Sequence, residues 1–121
     1  MRIFILDDCW EDMRPNVLQN NPEHDFVFVG NPKAAEAIME QETFDVLLLD
    51  GSLGRNEKGP ITGPDTLRRW KSEGRALPRI YMFSSDEKYQ HEGILAGADG
   101  SLSKDWLKDP SLLRKALEGG N

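Results

Sequence analysis

The chain has 121 residues, of which 38% are hydrophobic and 30% are charged, and it contains one cysteine. A chain of this size and composition can bury its own hydrophobic core, which excludes a disordered polypeptide and a small disulfide-built scaffold. Fifteen Lys and Arg residues against 21 Asp and Glu residues give a net charge of -6. This negative charge disfavours direct binding to nucleic acid or to an anionic membrane surface.

The beginning of the chain does not resemble a targeting signal. Its first apolar run, residues 3–6, is too short for the apolar region of a secretory signal peptide. No other window reaches the length and apolarity of a transmembrane helix. The lone Cys9 cannot form an internal disulfide, which favours a reducing compartment. We therefore expect a cytoplasmic protein with one domain over residues 1–121, in which residues 119–121 form a tail or a truncated linker.

Four short, continuous apolar runs predict β-strands that are buried on both faces, as in a parallel sheet. They span residues 3–6, 26–29, 46–49 and 80–83. A fifth strand is predicted over residues 100–103 mainly from its position, because Ser and Gly are poor strand formers. Helices are predicted between these strands, which indicates an α/β domain with an open parallel sheet.

Three dipeptides that end in Pro mark predicted helix starts. Asn31-Pro32 supplies an N-cap side chain followed by Pro in the first turn. Gly63-Pro64 and Asp109-Pro110 open two more helices, which are predicted to end at Gly74 and Gly119.

The two remaining helices are less regular. Pro15 lies where the first helix should run, so that helix is predicted to be short, delayed or kinked. The segment from Glu87 to Ala96 predicts a soft helix, because it contains Gly93. The one irregular stretch runs from Gly51 to Gly63, and long loops of this kind are usually functional or mobile.

Polar residues follow the ends of the predicted strands, where ligands bind in doubly wound sheets. Asp7 and Asp8 follow the first strand, Asp50 ends the third, Ser84 follows the fourth and Lys104 follows the fifth. Carboxylates brought together repel one another, and a divalent cation such as Mg²⁺ relieves that repulsion while sharing phosphate oxygens. A lysine and a hydroxyl facing the same pocket complete an anion site for a phosphoryl group. The predicted chemistry is attack of the Asp50 carboxylate on phosphorus.

The order of the motifs at these strand ends resembles that of bacterial response-regulator receiver domains, over nearly the whole chain. The motifs are Asp7-Asp8, Leu48-Leu49-Asp50, Ser84-Ser85, and Gly97-Ala98-Asp99-Gly100 leading to Lys104. The resemblance implies a flavodoxin-like, doubly wound sheet of five parallel strands in the order 2-1-3-4-5. It also implies a phosphoprotein of a two-component phosphorelay, with no enzymatic activity expected beyond its own phosphorylation and dephosphorylation.

The resemblance gives the acidic residues two roles. Asp50 would be the phosphoacceptor and would take its phosphoryl group from a histidine kinase or a phosphotransfer protein. Asp7 and Asp8 would hold Mg²⁺, directly or through water, together with Asp50 and the backbone carbonyl of Ser52. Phosphorylation would then change binding to a downstream protein that the sequence does not name.

The resemblance also implies the roles of the other polar residues. Ser84 would bond a phosphoryl oxygen and shift on activation, while Lys104 would pair with the phosphoryl group. Ser85 is small and would leave the phosphoryl pocket open to the donor.

The sequence departs from the receiver pattern in three places. Asp105 stands after the lysine where receivers commonly carry Pro, and Ser101 stands where an aromatic switch residue is expected. The stretch from Gly51 to Gly63 is longer than the usual loop after the acceptor. The phosphorylation site is therefore better supported than the usual coupling of the serine to an aromatic side chain.

Two alternatives stay open. The departures at Ser101 and Asp105 fit a receiver-like module that binds a partner without phosphorylation. A metal-dependent phosphohydrolase could use the same acidic cluster, with the stretch from Gly51 to Gly63 covering its substrate. Against the hydrolase, the sequence has no DxD nucleophile motif and no second base at the site.

Overall fold

The computed structural model describes residues 1–107 and 109–119, in which strands alternate with helices. The elements are β1 (Arg2–Leu6), α1 (Trp10–Asn20), β2 (Asp25–Val29), α2 (Pro32–Gln41), β3 (Val46–Asp50), β4 (Ser52–Asn56), β5 (Gly59–Thr62), α3 (Gly63–Ser72), β6 (Arg79–Phe83), α4 (Glu87–Leu95), β7 (Gly100–Leu102), a 3-10 helix (Lys104–Leu107) and α5 (Pro110–Gly119). Of the predicted tail at residues 119–121, residues 120 and 121 lie outside the described residues.

Five parallel strands form the central sheet in the order β2-β1-β3-β6-β7. Once the separate β4–β5 pair is left out of the numbering, this is the predicted order 2-1-3-4-5. All five residues of β3 are buried, as expected for the middle strand of a sheet covered on both faces. The predicted fold class is confirmed.

The sheet separates two apolar layers. Successive side chains of a strand point to opposite faces, so neighbouring residues of β1 enter different layers. Ile5 packs in one layer with Val17 of α1 and Leu117 of α5. Phe4 packs in the other layer with Trp70 of α3. None of the helices in the described part of the chain is long and apolar enough to cross a bilayer.

The predicted helix starts are confirmed by their capping bonds. The side chain of Asn31 accepts a hydrogen bond from the Ala34 backbone N–H at 2.9 Å. Asp109 does the same for the Ser111 backbone N–H at 3.1 Å. At α3 the cap is Thr62, one residue before the Gly63-Pro64 pair that marked the start in the sequence.

The first helix is neither short nor delayed, which corrects two of the outcomes expected from Pro15. It begins at Trp10 and runs for 11 residues with Pro15 inside it. A proline at this position removes one backbone donor, whose acceptor would be the carbonyl of Glu11. Glu11 is exposed, so that carbonyl can bond to water, while the buried Met13 and Val17 hold the helix on the sheet.

The stretch from Gly51 to Gly63 is not an irregular loop, which corrects a second expectation. It contains the antiparallel β4–β5 hairpin, with Asn56 paired to Gly59 at its tip. The Asn56 side chain accepts a hydrogen bond from the Lys58 backbone N–H at 2.8 Å, which stabilises the turn. Leu53 is buried in the layer that contains α2 and α3, so the hairpin is attached to the core.

Gly93 also has a packing role that the sequence interpretation did not anticipate. It is buried, and a Cβ placed on it would fall 2.0 Å from Cγ of Met82 in β6. The glycine therefore lets α4 approach the sheet closely, so it is not simply a point of weakness in the helix.

Removing apolar volume from β3 tests how much the sheet depends on its middle strand. Leu48 is fully buried, and we expect Leu48→Ala to lower the free energy of unfolding by about 2–5 kcal/mol, because the truncation leaves a cavity. Leu95 is 69% exposed, and the matched Leu95→Ala change should cost less than about 0.5 kcal/mol. Urea denaturation of both variants measures the difference, and equal losses would contradict the burial described here.

Candidate functional site

The register of the sheet brings the predicted site residues to one edge. Leu6 of β1 pairs with Leu49 of β3, so Asp7 and Asp50 follow at the same level on adjacent strands. Asp50 in turn pairs with Phe83 of β6. The carboxyl ends of these three strands therefore meet, as the sequence pattern required.

Lys104 reaches across this edge to both buried carboxylates. Its Nζ donates a hydrogen bond to Oδ2 of Asp7 at 2.7 Å. The same Nζ lies 3.4 Å from Oδ1 of Asp50. Asp105, the residue that follows the lysine, is exposed and forms no ion pair with any described residue. Lys104 therefore belongs to the site.

Asp7 and Asp8 differ in their surroundings. Asp7 has no exposed surface, and its Oδ1 accepts a hydrogen bond from the backbone N–H of Cys9 at 2.8 Å. Asp8 is exposed and faces β4, where a Cβ added to Gly54 would lie 3.9 Å from Asp8 Oδ2. One carboxylate is thus held rigidly inside the site, and the other is free to move at its rim.

Burial and the nearby charge of Asp7 together raise the pKa of Asp50 to about 6. The ammonium group of Lys104 and the backbone N–H of Ser52 act in the opposite direction. Asp50 is only 6% exposed, so water does little to relieve the repulsion between the two carboxylates. At neutral pH the Asp50 carboxylate is still mostly ionised.

Lys104 is held as a cation. Burial alone would lower the pKa of its ammonium group, but the hydrogen bond to Asp7 and the charges of Asp50 and Asp7 outweigh burial and raise that pKa. The ammonium group also lies 5.1 Å from the centre of the Phe83 ring, a favourable cation–π distance.

The donor set fits a hard divalent cation. Asp7 and Asp50 share one ammonium group, and the exposed Asp8 adds a further negative charge beside them. Among the described residues, Asp7, Asp8 and Cys9 each offer a ligand atom within 4.8 Å of the others, and Asp50 is not part of that cluster. The charges of Asp8 and Asp7, together with burial, raise the pKa of the Cys9 thiol, so it is protonated at neutral pH and is a poor ligand. The carboxylates are therefore the suitable ligands, and oxygen ligands are those that Mg²⁺ prefers.

The three serines occupy different positions around the site. Ser84 is buried directly after β6, and its Oγ accepts a hydrogen bond from the Asp86 backbone N–H at 3.0 Å. Ser85 and Ser52 are exposed. The N-cap of α4 is Asp86, so the side chains of Ser84 and Ser85 do not cap that helix.

The aromatic residues near the lysine differ from the receiver pattern. Ser101 is exposed on β7 and cannot act as a buried switch residue. Trp106, in the 3-10 helix, is buried with its ring 5.6 Å from that of Phe83. The sequence interpretation missed this pair, because aromatic residues beside a buried strand are core residues by default and carry no further signal.

A cavity of about 730 Å³ lies between α2, the hairpin and α3. Its lining contains none of the predicted site residues. The predicted site residues therefore lie at the open edge of the sheet, outside this cavity.

The comparisons with known proteins agree with this geometry at the level of the fold. No protein-family model and no curated protein matches the sequence. Many solved structures match, among them the chemotaxis response regulator CheY4 of Vibrio cholerae, at 20% identity with a TM-score of 0.74 and coverage of 97% of this chain and 95% of that chain. The chain has the receiver-domain fold.

Two other receiver domains match this fold over similar lengths. The receiver domain of NtrX from Brucella abortus is 22% identical, with a TM-score of 0.71 and coverage of 96% of this chain and 98% of that chain. The receiver domain of the Francisella response regulator 1452 is 17% identical, with a TM-score of 0.71 and coverage of 96% and 93%. At these identities, the roles of individual residues rest on the geometry described above.

The raised pKa of Asp50 predicts how stability depends on pH. In the unfolded chain an aspartate titrates near pH 4, and in the folded protein Asp50 titrates near pH 6. The folded state therefore binds the proton more tightly, so this residue's contribution to stability is complete below about pH 4 and is lost as the pH rises through 6. We expect Asp50→Asn to stabilise the fold at pH 8 by about 1–2 kcal/mol, after screening by solvent at the sheet edge, and to have little effect at pH 4.

Urea denaturation at the two pH values measures this difference. Asp12→Asn is the matched control, because Asp12 is exposed in the first turn of α1. Equal effects of Asp50→Asn at both pH values would contradict the electrostatic description of the site.

Proposed function

We propose that this protein is a receiver of a two-component system that accepts a phosphoryl group on Asp50 with the help of Mg²⁺. The observation that carries the proposal is the arrangement of Asp50 and Asp7 around the single ammonium group of Lys104. The receiver-domain fold supports the same assignment, since the solved neighbours include response regulators. The donor would be the phosphohistidine of a kinase or of a phosphotransfer protein.

Asp50 has the properties of a nucleophile in this reaction. Its carboxylate is mostly ionised at neutral pH, so no general base is needed to activate it. A carboxylate oxygen would form a bond to phosphorus while the phosphorus–nitrogen bond of the donor breaks, and the released imidazole would take up a proton. The product would be an aspartyl phosphate.

Mg²⁺ would be held by Asp7, Asp8 and Asp50 together with the backbone carbonyl of Ser52. When bound, the cation supplies positive charge that offsets the negative charges of the carboxylates and of the incoming phosphoryl oxygens. Asp7 is kept in position by the N–H of Cys9, and Asp8 is free to adjust at the rim. This division suits a site that must admit a cation and keep its ligands ordered.

Lys104 and Ser84 would bind the transferred group. Lys104 lies within reach of Asp50 and is charged, so it can bond phosphoryl oxygens after transfer. The Ser84 oxygen accepts one hydrogen bond from Asp86, which leaves its own O–H available for donation. Ser85 is exposed beside it, and its small side chain would leave space for the donor.

A receiver-like module that works without phosphorylation is the second candidate. It is favoured by Ser101, which stands where receivers carry an aromatic switch residue. Ser101 is exposed and has no ring that could become buried in response to a change at Ser84. The phosphohydrolase has less support. His24 bonds to the N-terminal amine and His91 is exposed on α4, so neither supplies a base beside Asp50.

Intact mass after incubation with acetyl phosphate and Mg²⁺ tests the proposal. We expect the wild-type chain to gain one phosphoryl group, because the ionised Asp50 is the nucleophile, and we expect Asp50→Asn to gain none. Asp12→Asn, which changes an exposed carboxylate outside the site, should gain the group as the wild type does. Removal of Mg²⁺ with a chelator should prevent the gain in every variant.

The other outcomes distinguish the alternatives. A wild-type chain that gains no mass, yet binds a partner as well as Asp50→Asn does, would support the phosphorylation-independent module. Turnover of a phosphate ester that is lost in Asp50→Asn would support the hydrolase.

A further inference from the structure

The side-chain space of the residue after Asp50 is filled by a residue from another element. Gly51 is buried, and a Cβ placed on it would lie 2.5 Å from Cβ and 2.6 Å from Cγ of Tyr89 in α4. Carbon atoms in contact are normally 3.5–4.0 Å apart, so no side chain fits there. The Tyr89 side chain therefore rests directly on the backbone that follows the acceptor.

The start of α3 also holds the same backbone. The N–H of Gly63 donates a hydrogen bond to the carbonyl oxygen of Gly51 at 2.9 Å. A Cβ placed on Gly63 would lie 2.1 Å from the carbonyl oxygen of Asp50. Gly63 and Tyr89 therefore both contact the backbone at Asp50 and Gly51.

The first turn of α4 is tied to Ser84, which gives Tyr89 a defined position. Asp86 caps the helix and donates its own N–H to Ser84 Oγ at 3.0 Å. The Gln90 side chain donates to the Ser84 carbonyl oxygen at 2.6 Å. Tyr89 lies between these two attachments in the sequence, so its Cβ is held against Gly51 by the position of the helix start.

We infer that Tyr89 is a positioning residue for the phosphoacceptor site. Its ring holds the backbone of Gly51 and thereby Ser52, the residue whose N–H acts on Asp50 and whose carbonyl we assign to Mg²⁺. The effect on Mg²⁺ binding rests on the proposed function, whereas the restraint of Gly51 by Tyr89 rests on packing alone. Truncation of the ring would let the segment from Gly51 to Ser52 move, and the cation would bind less tightly.

The contact acts through the ring and not through the phenol. The described residues provide no hydrogen-bond partner for the Tyr89 hydroxyl, whereas Cβ, Cγ and Cδ2 all face Gly51. Phenylalanine at position 89 should therefore preserve the function, and alanine should not.

The experiment compares Tyr89→Ala with two controls. Tyr89→Phe keeps the ring, and His91→Ala removes an exposed side chain from the same helix. Backbone ¹⁵N relaxation is measured on each chain without Mg²⁺, and Mg²⁺ affinity is then measured by calorimetry at a temperature where circular dichroism shows that every variant is folded.

In Tyr89→Ala we expect the order parameters of the Gly51 and Ser52 amides to fall from about 0.85 toward about 0.6. We also expect Mg²⁺ to bind about tenfold more weakly, as for other losses of groups that support metal ligands. Both controls should stay within about twofold of the wild-type affinity, because Tyr89→Phe keeps the ring against Gly51 and His91→Ala removes only an exposed side chain.

The two readouts separate failure of this inference from failure of the proposed function. Unchanged order parameters at Gly51 and Ser52 in Tyr89→Ala would overturn the inference, whatever happens to the melting temperature. If the wild-type chain binds Mg²⁺, an unchanged Mg²⁺ affinity in Tyr89→Ala would also overturn the inference. A wild-type chain that does not bind Mg²⁺ would instead refute the metal part of the proposed function, and the relaxation data alone would then decide the role of Tyr89.

Discussion

Two buried carboxylates that share one ammonium group are the constraint on which the rest of the structure depends. Asp7 has no access to water and Asp50 has almost none, so their repulsion is not screened and Lys104 must remain between them. Such an arrangement is costly for a folded protein, and the raised pKa of Asp50 expresses part of that cost. This electrostatic cost at the edge of the sheet is the physical basis for the Mg²⁺ part of the proposed function.

The fold maintains this arrangement because its sheet is covered on both faces. The apolar runs of β1 and β3 fix the register that places Asp7 and Asp50 side by side. A one-residue slip of a strand's register would move its side chains to the opposite faces of the sheet. The apolar layers on the two faces therefore oppose such a slip and hold the carboxylates together against their repulsion. Hydrophobic burial in the sheet thus offsets the electrostatic cost at its edge.

Much of this was predictable from the sequence because the signals are local. A continuous apolar run that ends in Asp identifies Asp50 as a buried strand end, and an X-Pro pair identifies a helix start. Lys104 could be placed only by its position after the weakly predicted fifth strand, because its partner Asp7 lies 97 residues away in the chain. The hairpin was missed because Gly54, Gly59 and Pro60 oppose a strand prediction, while the burial of Leu53 that attaches the hairpin to the core is a tertiary contact.

The contact between Gly51 and Tyr89 was beyond the reach of sequence reasoning for a related reason. A glycine after the acceptor is a turn signal by composition, and a tyrosine in a helix has many uses. Their contact forms only when α4 packs against the sheet. Because Ser101 is exposed, it cannot act as the aromatic switch residue of the receiver pattern. A change at Asp50 would then reach the rest of the molecule only through other groups that touch the site, such as Tyr89. Three such routes are present among the described residues: α4, through Ser84 and Tyr89, α3, through Gly63, and the 3-10 helix, through Lys104.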